Sequence, residues 1–276
     1  MIKHYLKVAF RNLMKYKTQS LVSIIGLAVG FTCFALSALW IRYEMTYDNF
    51  HEGAERIYLV RAHYANEPGT SKFTPYPLMK YLQDKMPEIE AVTAFTAHHV
   101  KFRMEDTEQE IGMIAADSVF MNFFDIQLLK GTVNFLKCDG QEVAITKEFA
   151  KRLFSKEEDA LGKEVEVGRR VCKIGAIVSG WSNHSNIPYN ILAPARHSPR
   201  WGSSNEQLFI RVRERTDIDA FRTKMSTVCI NDIEKESELS DLLITRMSAL
   251  RYSDYVDKAD VVISFSYIFR SEEHTS

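Results

Sequence analysis

The chain has 276 residues, 46% of them hydrophobic and 26% charged, which is enough for one membrane-spanning segment followed by one large or two small domains. Its net charge of −1 is unevenly placed, since residues 1–42 hold six basic residues and no acid, whereas residues 43–269 hold 28 basic and 34 acidic residues. Such an acidic region, without a basic stripe interleaved with aromatic residues, argues against nucleic-acid binding.

Residues 1–19 predict a basic amphipathic helix on the cytoplasmic surface of a membrane. Apolar residues recur at helical spacing with the basic residues mostly between them, which is typical of a helix that lies in the membrane interface. The apolar positions are Ile2, Tyr5, Leu6, Ala9, Phe10, Leu13 and Met14. The alternative is a solvated basic leader that does not contact the membrane.

Residues 20–42 predict the first transmembrane helix. The 21 residues from Leu21 to Ile41 include no charge, and eleven of them are Leu, Ile, Val or Phe. As a helix this stretch would be roughly 31 Å long, close to the ~30 Å hydrocarbon core of a bilayer. A buried core helix is one alternative, but it should show a polar stripe. A signal peptide cleaved near Ala35-Leu36-Ser37 is another, but the apolar run is too long for it.

Charge sets the predicted orientation of this helix. Residues 1–20 carry five basic residues and no acid, whereas Glu44, Asp48, Glu52 and Glu55 follow the helix closely. The positive-inside rule therefore predicts a cytoplasmic N-terminus and an extracytoplasmic region after residue 42.

Two glycines within the helix suggest that it has a helical partner. Gly26 and Gly30 lie four residues apart and therefore on one helix face. This small-xxx-small pattern favours close packing of another helix, although glycine is common in membrane spans.

Residues 43–260 predict an α+β extracytoplasmic domain built around two β-α-β units. The first has strands at 57–64 and 89–96 around a helix from Thr74-Pro75 to 85, with Thr74 as N-cap and the proline in the first turn. In the second, Thr216 is the expected N-cap of a helix reaching residue 229, and Asp219 takes the capping-box position. The strands of the second unit are expected at 207–213 and 242–247.

Between these units, residues 98–205 predict an inserted β-rich subdomain. Short helices are expected near 118–124 and 147–154. The first of these carries the aromatic sequence "SVFMNFF", which is more typical of a core than of a ligand pocket. Residues 183–202 are rich in Ser, Asn, Pro and Gly and predict a loop.

The end of the chain predicts a return to the membrane. Residues 261–269 become increasingly apolar, as at the start of a second transmembrane helix. The heptapeptide at 270–276 matches the translation of a widely used sequencing adapter, so we expect it to be an artefact outside the fold. The alternative is a genuine polar tail.

No motif predicts catalysis, a cofactor or a metal. The sequence "EEDALGKEV" at 157–165 lacks the first glycine and the hydroxyl residue of a phosphate-binding loop, so ATP should be bound by another subunit. His98 and His99 are adjacent on a predicted strand, so their side chains point to opposite faces and would not share a metal. The loop from Trp181 to His184, together with His197, offers no Cys or acid at ligand spacing.

The cysteines do not predict a disulfide scaffold. Cys33 lies in the predicted span, no Cys-x-x-Cys occurs, and the three others cannot all pair with one another. One pair among Cys138, Cys172 and Cys229 could form outside the cytoplasm, and the sequence leaves open which.

Taken together, the opening blocks of the chain resemble the MacB/FtsX-like ABC transporter permeases. The blocks that carry the resemblance occur in order as "RNLMKYK", "GLAVGF", "LWIRYE", "YDNFH" and "RIYLV". Downstream, "FTPYPLMKYLQDKMPEIEAVT", "ADSVFMNFFDIQLLKG", "EVAITKEFAKRLF", "ALGKEV" and "IPYNILAP" resemble the exterior core domain of that family. The resemblance covers about residues 1–269 and departs at Leu59-Val60, where an arginine often follows the tyrosine.

The resemblance implies the N-terminal fragment of a permease in the bacterial inner membrane. It would carry a MacB-like periplasmic core domain, with a porter-like subdomain of two β-α-β halves and a smaller inserted subdomain. The two spans would form a stalk, and the subunit would pair as a homodimer or as a pseudo-dimer of permease halves within membrane lipid. A separate cytoplasmic ABC ATPase would drive periplasmic movement, while peptides, macrolides, lipids and lipoproteins all remain open as substrates.

The residues expected to matter are structural rather than catalytic. Gly26 and Gly30 would pack the helix, and a junction between stalk and domain would comprise Tyr43, Glu44, Tyr47, Asp48, Phe50, His51 and Arg56. The simpler role for these polar residues is to join stalk and domain through caps and salt bridges, and the alternative is a direct part in coupling. Two other functions stay open, a membrane-anchored sensing or binding module without transport, and an exterior enzyme, for which no catalytic constellation is present.

Overall fold

The computed structural model describes residues 4–5, 11, 14–65, 69–104, 107–137, 141–181, 184–232 and 239–250. The chain forms two compact units that divide between Thr46 and Tyr47. Several sequence predictions fall outside the described residues: most of the amphipathic segment 1–19, the second span at 261–269, the tail at 270–276, Cys138 and the side chain of Cys229.

In the described part of the first unit, the long helix is α1 (Lys17–Met45), of 29 residues. None of its residues is buried, and among the described helices it is the one long and apolar enough to cross a membrane. A helix that is apolar all round is typical of a membrane span. The hydroxyl of Thr46 closes its last turn by donating to the carbonyl oxygens of Arg42 at 3.1 Å and Tyr43 at 3.0 Å.

The second unit is an α+β domain, as the sequence predicted. Its described helices are α2 (Pro77–Lys85), α3 (Ser118–Phe123), α4 (Lys147–Leu153) and α5 (Ile218–Asp232). Its described strands are β1 (Ile57–Tyr64), β2 (Thr74–Pro75), β3 (Ile89–Met104), β4 (Thr107–Ala116), β5 (Leu128–Gly131), β6 (Glu142–Thr146), β7 (Glu164–Val167), β8 (Arg170–Val178), β9 (Ile191–Pro194), β10 (Ser204–Val212) and β11 (Leu239–Arg246).

The two β-α-β units interlock in one antiparallel sheet. The first unit is β1-α2-β3 and the second is β10-α5-β11, yet the spatial order of the strands is β11-β1-β10-β3. Each unit therefore has a strand of the other between its own two strands, which is the split β-α-β arrangement of ferredoxin-like domains. We call this part the interlocked subdomain.

Both helices of the interlocked subdomain cover the sheet with one apolar core. Leu78 and Leu82 of α2 and Phe221 of α5 are buried against sheet residues such as Tyr58 and Leu208. Leu78 and Leu82 lie four residues apart and therefore on one face of α2, so the helical period of the sequence determines the side that packs on the sheet.

The inserted region closes six strands into a ring, which we call the barrel. The second half of β3 pairs with β4, and the pairing continues through β9, β6, β8 and β7. Strand β7 then returns to β3 through the pairs Phe102 with Val167 and Arg103 with Glu166. A closed ring has no free edge among its members. Its interior is filled by buried apolar side chains, including Ile145, which packs with Phe102 and Val167.

An aromatic core lies between the interlocked subdomain and the barrel. Phe120, Phe123 and Phe124 at α3 are all buried there, together with Phe95 of β3 and Phe209 of β10. The rings of Phe95 and Phe209 stack with centroids 5.5 Å apart, and that of Phe120 meets Phe95 edge-on at 4.9 Å. The prediction that "SVFMNFF" forms core is therefore confirmed.

Two of the predicted helix starts are wrong, the first because of tertiary strand pairing and the second because a neighbouring residue caps the helix. Thr74 does not cap α2, because Thr74 and Pro75 form β2 and pair with β10, with the Thr74 hydroxyl donating to the carbonyl of Glu206 at 3.3 Å. Helix α2 starts instead at Pro77. Likewise Asp217, rather than Thr216 as predicted, caps α5, because its carboxylate accepts from the amide nitrogens of residues 219 and 220 at 3.0 and 3.1 Å.

Two further boundaries differ from the sequence prediction. The expected loop at 183–202 contains β9, whose Ile191 and Leu192 pair with β6 in the barrel. Strand β3 does not stop at residue 96 but runs to Met104, because a new set of partners in β4 continues its ladder. Both errors arise because long-range pairing creates strands in segments whose local sequence is ambiguous.

Leu82 provides a test of the packing in the interlocked subdomain. We expect Leu82→Ala to lower the free energy of unfolding by about 2–5 kcal/mol, because this fully buried side chain would leave a cavity. The measurement is urea unfolding of the full chain in lipid nanodiscs, followed by tryptophan fluorescence. Leu243→Ala is the matched control, since Leu243 in β11 is 43% exposed. Equal losses in both variants would contradict the burial of Leu82.

Candidate functional site

The segment from Tyr47 to Arg56, here called the junction segment, follows α1 in the chain and belongs to the second unit. It folds through tight turns, with the amide of His51 donating to the carbonyl of Asp48 at 3.5 Å and that of Ala54 to the carbonyl of His51 at 3.1 Å. Asp48 adopts a φ of 58°, in the left-handed region that Asp tolerates better than most residues. The segment therefore consists of turns and a short 3₁₀ helix before β1 begins.

Asp48 anchors the junction segment to the loop between β8 and β9. Its side chain is completely buried, and Oδ2 accepts from the backbone amide of Asn186 at 3.1 Å and from its Nδ2 at 2.6 Å. The amide of Asp48 donates to the carbonyl of His184 at 3.2 Å. The neighbouring Tyr47 stacks on the His184 ring, with centroids 3.9 Å apart. Segments far apart in the chain are thus joined by backbone, side-chain and ring contacts.

Burial raises the pKa of the Asp48 carboxyl above its ordinary value, while hydrogen bonds from Ser185 and Asn186 act in the opposite direction. A buried carboxyl is costly unless its oxygens are hydrogen-bonded. The hydrogen-bonded loop therefore makes the buried position of Asp48 tolerable, and removing either partner would leave the other unsatisfied.

His51 lies in an aromatic surround. Its ring centroid is 4.2 Å from that of Phe50, 5.1 Å from Phe124 and 4.9 Å from Trp181. Burial, with a smaller contribution from the charge of Arg211, lowers the pKa of His51 to about 4. His51 is therefore neutral at pH 7 and packs as an aromatic side chain.

A cleft of about 430 Å³ opens beside this ring. It is lined by Phe50, His51 and Glu52 of the junction segment and by residues 124–126 and 179–181 of the domain. Phe50 is 43% exposed there, so the junction segment forms one wall of an accessible groove.

Arg56 joins the end of the junction segment to the interlocked sheet. Its Nη1 lies 2.5 Å from Glu90 Oε2 at the start of β3 and donates to the carbonyl of Val212, the last residue of β10, at 3.2 Å. Gly53 has a φ of 67°, and a Cβ there would lie 3.1 Å from Arg56 Nη2. A glycine at this turn therefore lets the guanidinium approach closely.

The structure places the predicted site residues in different surroundings. Tyr47, Asp48, Phe50, His51 and Arg56 all lie in the junction segment and contact the domain as described above. Tyr43 and Glu44 lie in the last turns of α1. Gly26 and Gly30 also lie in α1, where a Cβ at either position would meet no atom within 4 Å.

Sequence reasoning missed the partners of the junction segment. Asn186 and Ser185 were placed only in a loop, and Trp181 was considered only beside a metal site. In the structure Trp181 Nε1 donates to the carbonyl of Ile187 at 2.9 Å, which helps to fix the loop that receives Asp48. The only sequence signal was the adjoining block "IPYNILAP".

The histidines considered for a metal site lie in separate places. His184 contacts Tyr47, whereas His197 stacks on Tyr76 with centroids 4.0 Å apart and lies 3.2 Å from Glu206. Within the described ranges, no group of three or more His, Cys, Asp or Glu side chains is arranged to hold a metal ion.

The fold and the sequence together identify the family. The family model for the MacB-like periplasmic core domain matches residues 20–228. The chain belongs to this family. A comparison with curated proteins gave no match.

Solved structures share the fold of this MacB-like domain. One is a domain assigned to a permease protein of Porphyromonas gingivalis, with TM-score 0.57 and 20% identity, covering 71% of this chain and 92% of that one. Another is the extracellular domain of the noncanonic ABC-type transporter YknZ from Gram-positive bacteria, with TM-score 0.51, 14% identity and coverage of 68% and 99%. A third is the periplasmic region of MacB from Actinobacillus actinomycetemcomitans, with TM-score 0.51, 12% identity and coverage of 73% and 94%.

These matches confirm the predicted resemblance and the predicted fold class. The chain is a MacB-like relative of ABC transporter permeases, with a candidate membrane-spanning helix before a mixed α and β domain. Because these identities are below 25%, the solved structures support the fold alone. The roles of individual residues rest on the geometry of this chain.

His51 gives this MacB-like domain a predictable dependence on pH. Its pKa is about 4 in the folded state and about 6.5 when unfolded, so the unfolded state binds more protons between these values. The contribution of His51 to stability is therefore full above pH 6.5 and decreases as the pH falls. We expect the titration of His51 to lower the free energy of unfolding by about 2 kcal/mol when the pH falls from 7 to 5.

The measurement is urea unfolding of the full chain in nanodiscs at both pH values, for the wild type and for His51→Gln. The substituted chain should lose less stability on acidification, because residue 51 no longer titrates. His99→Gln removes an exposed histidine of β3 and should leave the wild-type dependence unchanged. A His51→Gln chain with the same loss as the wild type would refute the neutral, buried state of His51.

Proposed function

We propose that this chain is the membrane-spanning permease subunit of an ABC-type transport or efflux system. A separate ATPase in the cytoplasm would bind and hydrolyse ATP, and the chain would convert that work into movement of its extracytoplasmic domain. In this proposal the chain itself has no catalytic role and no cofactor. The family membership supports the transporter setting, and the junction segment supplies the observation that carries the proposal.

The junction segment is attached to both subdomains by specific polar contacts. Asp48 is hydrogen-bonded to Asn186, in the loop between two barrel strands. Arg56 is bound to Glu90 and to the carbonyl of Val212, at one end of the interlocked sheet. A displacement of this segment would therefore act on the barrel and on the interlocked subdomain together. That is what a segment between a moving stalk and a work-performing domain requires.

Charge supports the proposed orientation. The basic residues before the apolar stretch would remain in the cytoplasm, and the acidic domain would lie outside the inner membrane of a bacterial cell. The printed descriptions of the similar solved structures include an extracellular domain and a periplasmic region, which agrees with this placement.

Helix packing supports the proposed assembly as a homodimer or as a pseudo-dimer of permease halves. Gly26 and Gly30 lie on one face of α1 and leave it without side-chain bulk. In lipid, such a face favours close approach of a second helix. The remaining faces of α1 would contact membrane lipid.

A substitution at Arg56 tests the coupling role. We expect Arg56→Gln to leave the domain folded but to reduce its ATP-dependent movement about fivefold, because the link from the junction segment to Glu90 is lost. The measurement uses the full chain reconstituted in nanodiscs with the ABC ATPase encoded nearest to its gene. Spin labels on the two extracytoplasmic domains report their separation with and without ATP.

Arg103→Gln is the matched control, because Arg103 also forms ion pairs with acids but lies exposed on the barrel. It should behave as the wild type. If the wild-type chain neither binds an ATPase nor changes its separation on ATP binding, the transporter proposal fails. If Arg56→Gln matches the wild type, the junction segment has no part in coupling.

The glycine face of α1 provides a separate prediction. We expect Gly26→Leu with Gly30→Leu to weaken dimerisation at least about tenfold, since two bulky side chains would separate the packed helices. The readout is energy transfer between labelled chains in lipid vesicles, with circular dichroism to show that the domain stays folded. Ala28→Leu with Thr32→Leu adds similar bulk on the opposite face and should have little effect. Unchanged dimerisation in the glycine variant would show that Gly26 and Gly30 do not form the packing face of α1.

A membrane-anchored binding module without transport is the second candidate function. The observation that favours it is a ligand-sized pocket in the barrel, described below. Sequencing the gene past codon 269 on long reads separates the two candidates. Further membrane spans would support the permease, and a stop codon after residue 276 would support the anchored module.

A further inference from the structure

A pocket of about 370 Å³ lies at one end of the barrel. Every strand of the closed ring contributes at least one residue to its lining: Thr96 and His98 from β3, Met113 and Ala115 from β4, Val143 from β6, Val167 from β7, Arg170 and Cys172 from β8, and Ala193 and Pro194 from β9. Side chains from all six strands can meet only within the ring or at its open end. The mouths of β-barrels are common places for small ligands, and this volume is within the usual range.

The floor of the pocket is apolar. Val143, Val167 and Cys172 line it and also belong to the buried core of the barrel. Met113 packs against the same core and is only partly covered. The apolar surface that a ligand would cover is therefore mainly that of Met113 and of Ala193, which is also partly exposed, and covering apolar surface is favourable at about 25 cal/mol per Å².

The rim of the pocket is basic. Arg169, Arg170, Arg196 and His98 all line it, all four are exposed, and no acidic residue contributes to the described lining. This stands out because residues 43–269 carry six more acids than bases. Guanidinium groups bind carboxylates through paired hydrogen bonds, so an anionic head group would be held at this rim.

The hairpin between β7 and β8 fixes two of these arginines in place. Val167 pairs with Arg170, so the turn consists of Gly168 and Arg169 alone. Gly168 has a φ of 66°, which favours glycine, and its amide donates to the carbonyl of Lys101 at 2.7 Å. The turn is thereby tied to the neighbouring strand β3, which places Arg169 in the turn and Arg170 at the start of β8 beside the pocket.

We propose that the mouth of the barrel binds a small anionic amphiphile of the fatty-acid class. The carboxylate would pair with the arginines of the rim, and the alkyl chain would lie on the apolar floor. A simple inorganic anion would leave the floor uncovered, and a neutral hydrocarbon would form no ion pair with the rim. None of the residues that line the pocket belongs to the junction segment.

The experiment uses the full chain in nanodiscs of zwitterionic phosphatidylcholine, so that the membrane presents no net anionic lipid. Methionine methyl groups are labelled with ¹³C, and the resonance of Met113 is assigned with Met113→Leu. Decanoate is the probe. We expect a saturable shift of the Met113 resonance with decanoate, and at least tenfold weaker responses with decanol, which has the tail alone, and with acetate, which has the charge alone.

Arg169→Ala with Arg170→Ala should weaken decanoate binding at least tenfold. Arg222→Ala is the matched control, since Arg222 is an exposed arginine of α5 in the interlocked subdomain, and it should bind as the wild type. Because the decanol and acetate comparisons use the wild-type chain, they test the proposal even if the double variant fails to fold. The proposal is overturned if Met113 does not respond to decanoate, if decanol binds equally well, or if the folded double variant binds as the wild type.

Discussion

The arrangement of the domain depends on the hydrogen-bonded ladder of β3, which serves two subdomains at once. Its first half pairs with β10 in the interlocked sheet, and its second half pairs with β4 and β7 in the barrel. At 16 residues it is far longer than the usual strand of about 5–6 residues. Bending it between the halves would break ladder hydrogen bonds and disturb Phe95, which lies in the aromatic core at that point. The strand therefore fixes the position of one subdomain relative to the other.

Buried polar groups hold the junction segment to the domain, although an apolar contact could also have held it there. Burying a carboxyl such as Asp48 is unfavourable unless it is hydrogen-bonded, and Asn186 supplies two donors to Oδ2 at this position of the segment. Arg56 adds a second fixed point on the interlocked sheet, and the neutral ring of His51 fills the space between with aromatic contacts. Directional contacts of this kind specify one position, whereas an apolar surface could slide. A segment with a role in transmitting motion needs that defined position.

The barrel carries a candidate site that the shared fold does not by itself specify. Family membership and the solved relatives account for the architecture, and they assign no ligand to its open end. The basic rim over an apolar floor arises from side chains on six strands and from Arg169, which lies in a two-residue turn with Gly168. The chemistry of such a pocket follows from these particular residues.

The sequence by itself determined the local elements and the residue types at the functional places. The uncharged stretch predicted the long helix, β-branched and aromatic residues predicted strand β1 with its bounds unchanged at Ile57–Tyr64, and aromatic spacing predicted the core helix α3. Each of these depends on near neighbours in the chain. The balance of acidic and basic residues likewise follows from the sequence alone, because it is a count of residues.

Only the tertiary structure decided which distant segments meet. It interlocked the two β-α-β units, closed the barrel through β7, turned Thr74-Pro75 into a strand, and joined Asp48 to Asn186 across 138 positions. It also gathered Arg169, Arg170 and Arg196 around one pocket. These outcomes depend on pairing and packing between parts far apart in the chain, whose free energy is a property of the whole fold. No local window of the sequence contains that information.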